Sequence, residues 1–110
     1  MLPQKNKVSR KIFSGLVHKK NTTHGQYLTL RVFQQEKGES RFSFIISKKI
    51  NKKAVIRNLY KRRAYAIIQK YKNQLLKSFV CIFFFKKEAV NLNFKDLEKE
   101  IFYLLKKNNI

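Results

Sequence analysis

The segment SKKINKKAVIRNLYKRR, residues 47–63, contains the side chains best suited to chemistry with a polyanion. It opens on Ser47 and holds eight cations, Lys48, Lys49, Lys52, Lys53, Arg57, Lys61, Arg62 and Arg63, with no acid among them. Arg57 and Lys61 are four residues apart, as are Asn58 and Arg62, so a helix would present these four on one exposed side. Like charges crowded at that spacing destabilise a lone helix. Binding a polyphosphate offsets that cost, whereas a merely solvated helix face carries compensating acids. Arginine forks across two phosphate oxygens, lysine acts as a point charge, and asparagine adds directional donors and acceptors. Such a mixture suits a folded nucleic-acid backbone better than one small phosphate. A glycine-rich phosphate cradle is excluded, because the glycines are only Gly15, Gly25 and Gly38.

The rest of the chain points the same way. Lys and Arg total 26 against 6 acids, a net charge of +20 that makes a compact domain repel itself. The acids are Glu36, Glu39, Glu88, Asp96, Glu98 and Glu100, so residues 1–35 and 40–87 have none. A domain selected only for solubility intersperses the two signs. Nucleic acid is the expected partner, since each neutralised phosphate releases counterions and adds sequence-independent affinity.

Catalytic signatures fail in turn. His18 and His24 have no His or Cys partner at a metal-ligand spacing. Asp96, Glu98 and Glu100 read as solvated charges on a helix surface, and no nucleophile–base pair is visible. The single cysteine, Cys81, excludes an internal disulfide and reads as a buried, inert thiol. The polypeptide is therefore expected to make and break no bonds itself, to hold no metal and to take no small-molecule substrate. No stretch reaches the roughly 18 apolar residues of a membrane span. Residues 1–7 lack the apolar centre of a secretory signal, so a cytoplasmic protein without a membrane partner is expected.

These side chains need a scaffold, and 110 residues with 44% hydrophobic content suffice for one RNA-binding domain spanning 1–110. Residues 10–19 read as a short helix capped by Ser9, and 18–25 as a polar loop. Alternation of Leu28, Leu30 and Val32 with Tyr27, Thr29, Arg31 and Phe33 predicts a strand over 26–33. A turn over 34–40 and a strand over 41–47 would complete a hairpin, with an extra short strand allowed near 43–47. Asn51 is placed to cap a helix over 52–71. At about 100° per residue, Val55, Ile56, Leu59, Tyr60, Ala66, Ile67 and Tyr71 share its apolar side, opposite Arg57, Asn58, Lys61, Arg62, Tyr65 and Gln69. The run FVCIFFF, residues 79–85, predicts a central strand buried on both faces. Asn93 caps a last helix with Phe94, Leu97, Ile101, Leu104 and Leu105 as its buried stripe. The class is α+β, a two-layer sandwich with a small mixed sheet, order α-β-β-(β)-α-β-α and a βαβ crossover.

The run Ser47-Lys48-Lys49, then Lys53-Ala54-Val55-Ile56-Arg57-Asn58-Leu59-Tyr60-Lys61-Arg62, resembles the signature of the bacterial ribonuclease P protein. In that family it reads approximately S-K-K, a short gap, then A-V-x-R-N-R-x-K-R-x-x-R. Leu59 and Tyr65 stand where the family usually has arginines, while Arg63 is an addition. The resemblance implies a left-handed βαβ crossover and a basic helix facing the catalytic RNA, against the usual handedness of such units. It further implies that Ser47, Lys48, Lys49, Lys52, Lys53, Arg57, Asn58, Lys61, Arg62 and Arg63 touch that RNA. A cleft lined by Phe13, Val17, Tyr27, Leu28 and Leu30 would take the 5′ leader of precursor tRNA. By the same resemblance the protein is the non-catalytic component of an endoribonuclease that trims precursor tRNA. Hydrolysis is then carried out by the RNA, which holds most of the Mg²⁺. A basic ribosomal protein or general RNA-binding protein is the rival reading, and the Ser-Lys-Lys and Arg-Asn-x-x-Lys-Arg spacing speaks against it.

Overall fold

A computed structural model describes residues 19–34, 40–71, 79–89 and 92–108, the side chains of 19–21 and 34 excepted. The architecture follows from one strand. Within Phe79–Phe85 every residue but Phe84 is buried. A strand apolar on both sides needs neighbours on both edges, because buried N–H and C=O groups must find partners. It therefore sits inside the sheet as β4, the last strand of the four in chain order.

β2, Leu28–Gln34, pairs with it antiparallel from Leu28↔Phe85 to Gln34↔Phe79. β3, Arg41–Ile45, pairs with its other edge in parallel, from Arg41↔Val80 to Ile45↔Phe84. β1, Lys19–His24, lies antiparallel outside β2, giving the order β1-β2-β4-β3. The parallel pair is joined by α1, Ala54–Tyr71, and the chain continues through a short 3₁₀ turn, Lys87–Ala89, into α2, Phe94–Lys107. The expected βαβ crossover is thus β3-α1-β4.

Two expectations about the sheet are corrected. Strands β2 and β3 do not form a hairpin, because β4 enters between them; the hairpin is β1–β2, turning through Gly25–Tyr27. The predicted loop over 18–25 is largely β1, and the extra strand allowed near 43–47 is not found there, where residues 43–45 belong to β3. As an edge strand β1 buries little, and Thr23 is its one buried side chain among those described. It therefore shows polar Lys, Asn and Thr instead of alternation, and charge on an edge discourages unwanted pairing. The predicted helix over 10–19 lies outside the described residues except Lys19, which begins β1.

One sheet face carries Leu28, Leu30, Val32, Phe42, Phe44, Phe79, Cys81, Phe83 and Phe85, and joins Tyr60, Ala64, Ile67 and Ile68 of α1 and Leu97, Ile101, Leu104 and Leu105 of α2 in one core. Phe44 stacks on Phe83 at 4.8 Å and meets Tyr65 edge-on at 5.1 Å. Tyr71 stacks on Phe102 at 4.8 Å, a contact of about 0.5–1.5 kcal/mol beyond its burial. The exposed Lys70–Glu98 ion pair at 3.5 Å links the same helices for at most about 1 kcal/mol. The rings, not the charges, hold α1 to α2.

The buried stripe of α1 is rotated from the predicted one. Val55 is 75% exposed and Ala66 is exposed, whereas Ala64 and Ile68 are buried and Tyr65 reaches Phe44. A broad apolar side contains more than one possible row, and sheet contact selects 60, 64, 67 and 68. On α2 the expected stripe holds except at Phe94, which is 37% exposed with the Lys70 ammonium 5.9 Å from its ring centre. Asn93 caps α2 as expected, its Oδ1 accepting from the Asp96 N–H at 2.8 Å. Asn51 does not cap α1 directly: its Oδ1 accepts from the Lys53 N–H at 3.0 Å, one residue before the helix begins.

Glu100 is not the solvated helix charge expected of it. Its carboxylate accepts the backbone N–H of Gln26 at 2.9 Å, Tyr27 at 2.7 Å and Leu28 at 2.5 Å. Lys86 secures the same turn, donating its backbone N–H to the Tyr27 carbonyl and its ammonium to the Gly25 carbonyl. Thus α2 fixes the β1–β2 turn as well as covering the sheet.

Candidate nucleic-acid interface

The basic segment begins where β3 leaves the core. Ile46 is still buried, and Ser47, Lys48 and Lys49 are exposed in a turn whose Ile50 and Asn51 N–H groups donate to the Ser47 carbonyl at 3.1 and 3.5 Å. Ile50 packs back against the core, which pins the turn by its one apolar residue. Lys52 and Lys53 follow, exposed, and α1 starts at Ala54 with no acid in its first turn. A helix start favours anions through its unpaired N–H groups and dipole, and acids are the usual occupants. Here cations precede the helix and its first turn carries no acid.

On α1 itself Asn58 and Arg62 are exposed, four residues apart, with Lys61 and Arg63 half-buried beside them. Among the described residues no carboxylate pairs with any of the eight cations between 48 and 63; the ion pair found is Lys70–Glu98. The described acids, Glu88, Asp96, Glu98 and Glu100, all lie in the 3₁₀ turn and α2. Electrostatically the crossover is a one-signed surface.

Arg57 is placed differently from its expected position. It stands three, seven and eleven residues before Tyr60, Ala64 and Ile68, which puts it on the buried row. Half-buried there, its Nη1 donates to the Asn51 carbonyl at 2.8 Å and to the Lys52 carbonyl at 2.9 Å. The row spacing was available in the sequence; the turn it bonds to was not.

The predicted cleft residues divide. Leu28 and Leu30 are 0% exposed on the helix-covered face, so they are core and line no cleft. Tyr27 is half-buried in the β1–β2 turn and lines a shallow depression with Gln26, Asp96, Lys99, Glu100 and Tyr103. Phe13 and Val17 lie outside the described residues. The other sheet face carries residues that the sequence reading passed over. There Arg31 is exposed, with its guanidinium 4.9 Å from the centre of the Phe84 ring, and His24 Nδ1 lies 3.3 Å from the Thr29 hydroxyl. A cation over an aromatic ring offers a base a stacking surface and a phosphate a counter-charge. Their signal was present, since alternation that buries Leu28 and Leu30 turns Thr29 and Arg31 outward.

Among the described residues no three His, Cys, Asp or Glu side chains gather closely enough to hold a metal ion. No helix among them is long and apolar enough to cross a membrane.

Comparison with known proteins gives one answer. The family model for Ribonuclease P matches residues 2–109. The ribonuclease P protein component of Microcystis aeruginosa (strain NIES-843 / IAM M-2473) is 32% identical over 114 residues, covering 99% of this chain and 95% of that one. Among solved structures, the ribonuclease P protein of Staphylococcus aureus superposes with a TM-score of 0.80 at 17% identity over 93% of each chain. That of Thermotoga maritima gives 0.72 at 21% identity, over 79% of this chain and 82% of the other. At such identities the structures establish the shared fold, and the family match carries the kinship.

Proposed function

The chain belongs to the ribonuclease P protein family, as the non-catalytic protein component of that ribonucleoprotein endoribonuclease, and on this premise we propose how it engages RNA. The surface formed by Ser47, Lys48, Lys49, Lys52, Lys53, Arg57, Asn58, Lys61, Arg62 and Arg63 docks on the catalytic RNA. The observation that carries this reading is the absence of any described carboxylate paired with the cations of that surface. Cations that no described carboxylate pairs are matched by phosphates, each neutralised phosphate releasing counterions.

The 5′ leader of precursor tRNA runs over the sheet face that bears Arg31 and Phe84. Every base has a stackable face, so an aromatic–cation surface accepts leaders of differing sequence. Mg²⁺ belongs to the RNA in this scheme and activates the water there, while the protein supplies affinity, positioning and relief of phosphate repulsion. The complex works in the cytoplasm.

Cleavage of precursor tRNA by the matching catalytic RNA at low Mg²⁺, with and without the protein, tests this. Restored 5′ maturation supports it. If the protein binds that RNA no better than an unrelated RNA and leaves cleavage unchanged, the docking scheme fails and a general RNA-binding role replaces it.

A further inference from the structure

From the same interface we infer that Arg57 is a positioning residue, which sets the shape of the lysine-bearing turn before α1 and so aims Lys48, Lys49, Lys52 and Lys53 at the RNA. This rests on the proposed docking of that surface and goes beyond it, since Arg57 would otherwise be one phosphate contact among several.

Three observations support the role. Arg57 lies on the buried row of α1, so its side chain runs along the protein before reaching solvent. Both hydrogens of one nitrogen are committed, Nη1 donating to the carbonyls of Asn51 at 2.8 Å and Lys52 at 2.9 Å. Those carbonyls belong to the stretch that joins the exposed Lys48 and Lys49 to Lys52 and Lys53. Within the turn, the other bonds are local: Ile50 and Asn51 N–H to the Ser47 carbonyl, and Lys53 N–H to Asn51 Oδ1. The Lys53 carbonyl joins turn and helix through the backbone, accepting the Ile56 and Arg57 N–H groups at 3.1 Å. Among the described residues Arg57 is the side chain that ties the turn farther back, at Asn51 and Lys52.

Chemistry makes the residue hard to replace. A guanidinium has five N–H donors in a fixed plane. With Nη1 engaged, the Nε and Nη2 donors remain as a second fork on the opposite edge, fit for one phosphate. A single side chain can then hold the turn and a phosphate together. A lysine keeps the charge but cannot offer two rigid edges.

The test uses the full-length protein and the matching catalytic RNA. In the free protein, Arg57→Ala should speed exchange of the Lys53 amide by about tenfold, as its bonded turn opens more often. In RNA binding, loss of one contact lowers the salt slope by about one, so a larger drop is expected for Arg57→Ala if the lysines are misaimed too. Lys52→Ala with Lys53→Ala should weaken binding several-fold less in the Arg57→Ala background than in the wild type. Arg57→Lys should lose nearly as much affinity as Arg57→Ala, despite its unchanged charge. Should Arg57→Ala fail to fold, Arg57→Lys keeps the charge but not the paired donors and should show the same faster Lys53 exchange, and wild-type exchange in that variant would overturn the role.

Unchanged amide exchange, additive lysine effects and wild-type affinity in Arg57→Lys would together overturn the inference and leave Arg57 a simple cation. Wild-type protein that does not prefer the catalytic RNA would instead sink the docking scheme. The turn-setting role is then decided by amide exchange alone.

Discussion

The Glu100 carboxylate on α2 accepts the backbone N–H of Tyr27 at 2.7 Å, linking residues 73 positions apart. The same carboxylate takes the N–H groups of Gln26 and Leu28, so one acid satisfies three consecutive donors of the turn. In a chain of net charge +20 this carboxylate is bound, among the described residues, to the backbone rather than to a cation. It makes the β1–β2 turn depend on the last helix, and the two ends of the described fold close on each other.

Glu100→Ala should therefore destabilise the protein by about 2–3 kcal/mol, because hydrogen bonds to a charged group are lost and partly buried donors go unpaired. Glu100→Gln, which keeps one acceptor oxygen, should cost about half as much. Urea unfolding checks this as a lower midpoint at unchanged m. RNA affinity should not fall in either variant, since each adds one unit of positive charge. A stability change within about 0.5 kcal/mol would show that the carboxylate is only a surface charge.

Gly25 is tied to the same acid. A methyl group added there would meet Glu100 Cδ at 2.9 Å, Glu100 Oε2 at 3.0 Å and the Leu28 carbonyl oxygen at 3.0 Å. Gly25→Ala must push the carboxylate off its donors or bend the turn, at about 1–3 kcal/mol. Two of the three clashes vanish in Glu100→Ala, so the double variant should be more stable than the two single losses added together. Strict additivity in the unfolding data would mean that the Leu28 carbonyl alone sets the cost.

The same contrast between local and distant causes explains what the sequence displayed. β4 was legible because FVCIFFF is apolar at successive positions, and α2 because Asn93, Leu97, Ile101, Leu104 and Leu105 keep helical spacing. The basic surface was legible because charge imbalance needs no fold to be seen. β1 was hidden, since the sequence of this edge strand, KKNTTH, has no apolar period. The pairing of β2 was missed because β4, far along the chain, displaces its nearest neighbour in sequence. Arg57 and Glu100 read as surface charges for one reason: their partners are backbone groups of other segments. Composition can announce a charge, but only the fold says which backbone it holds.

Leu59 and Arg62 test the side of α1 that is proposed to face RNA. Arg62 is exposed and Leu59 half-buried, so neither is committed to the core. Arg62→Ala should lower the slope of log affinity against log salt by about one, with stability changed by less than about 0.5 kcal/mol. Leu59→Arg, which restores the residue usual in the family, should steepen that slope by about one. Titrations of the catalytic RNA across a salt series measure both. Two unchanged slopes would remove this side of α1 from the interface.

Cys81 adds a pH dependence of known sign. Its side chain is fully buried in β4, and burial pushes the thiol far above its ordinary range. In the unfolded chain the thiol ionises near its usual value of about 8.5. The folded state holds its proton well above that value, so the contribution is fully present below about pH 8.5 and is lost progressively as pH rises beyond it. Between about pH 8.5 and 10 the unfolding free energy should fall by up to about 1.4 kcal/mol per pH unit on this account. Cys81→Ala costs stability through its smaller volume, but its profile over the same window should be flatter by that slope. Comparing the two profiles separates the thiol from the lysines, which both proteins share. Parallel profiles would show that the thiol ionises as readily in the folded protein as in the unfolded chain, contrary to its burial.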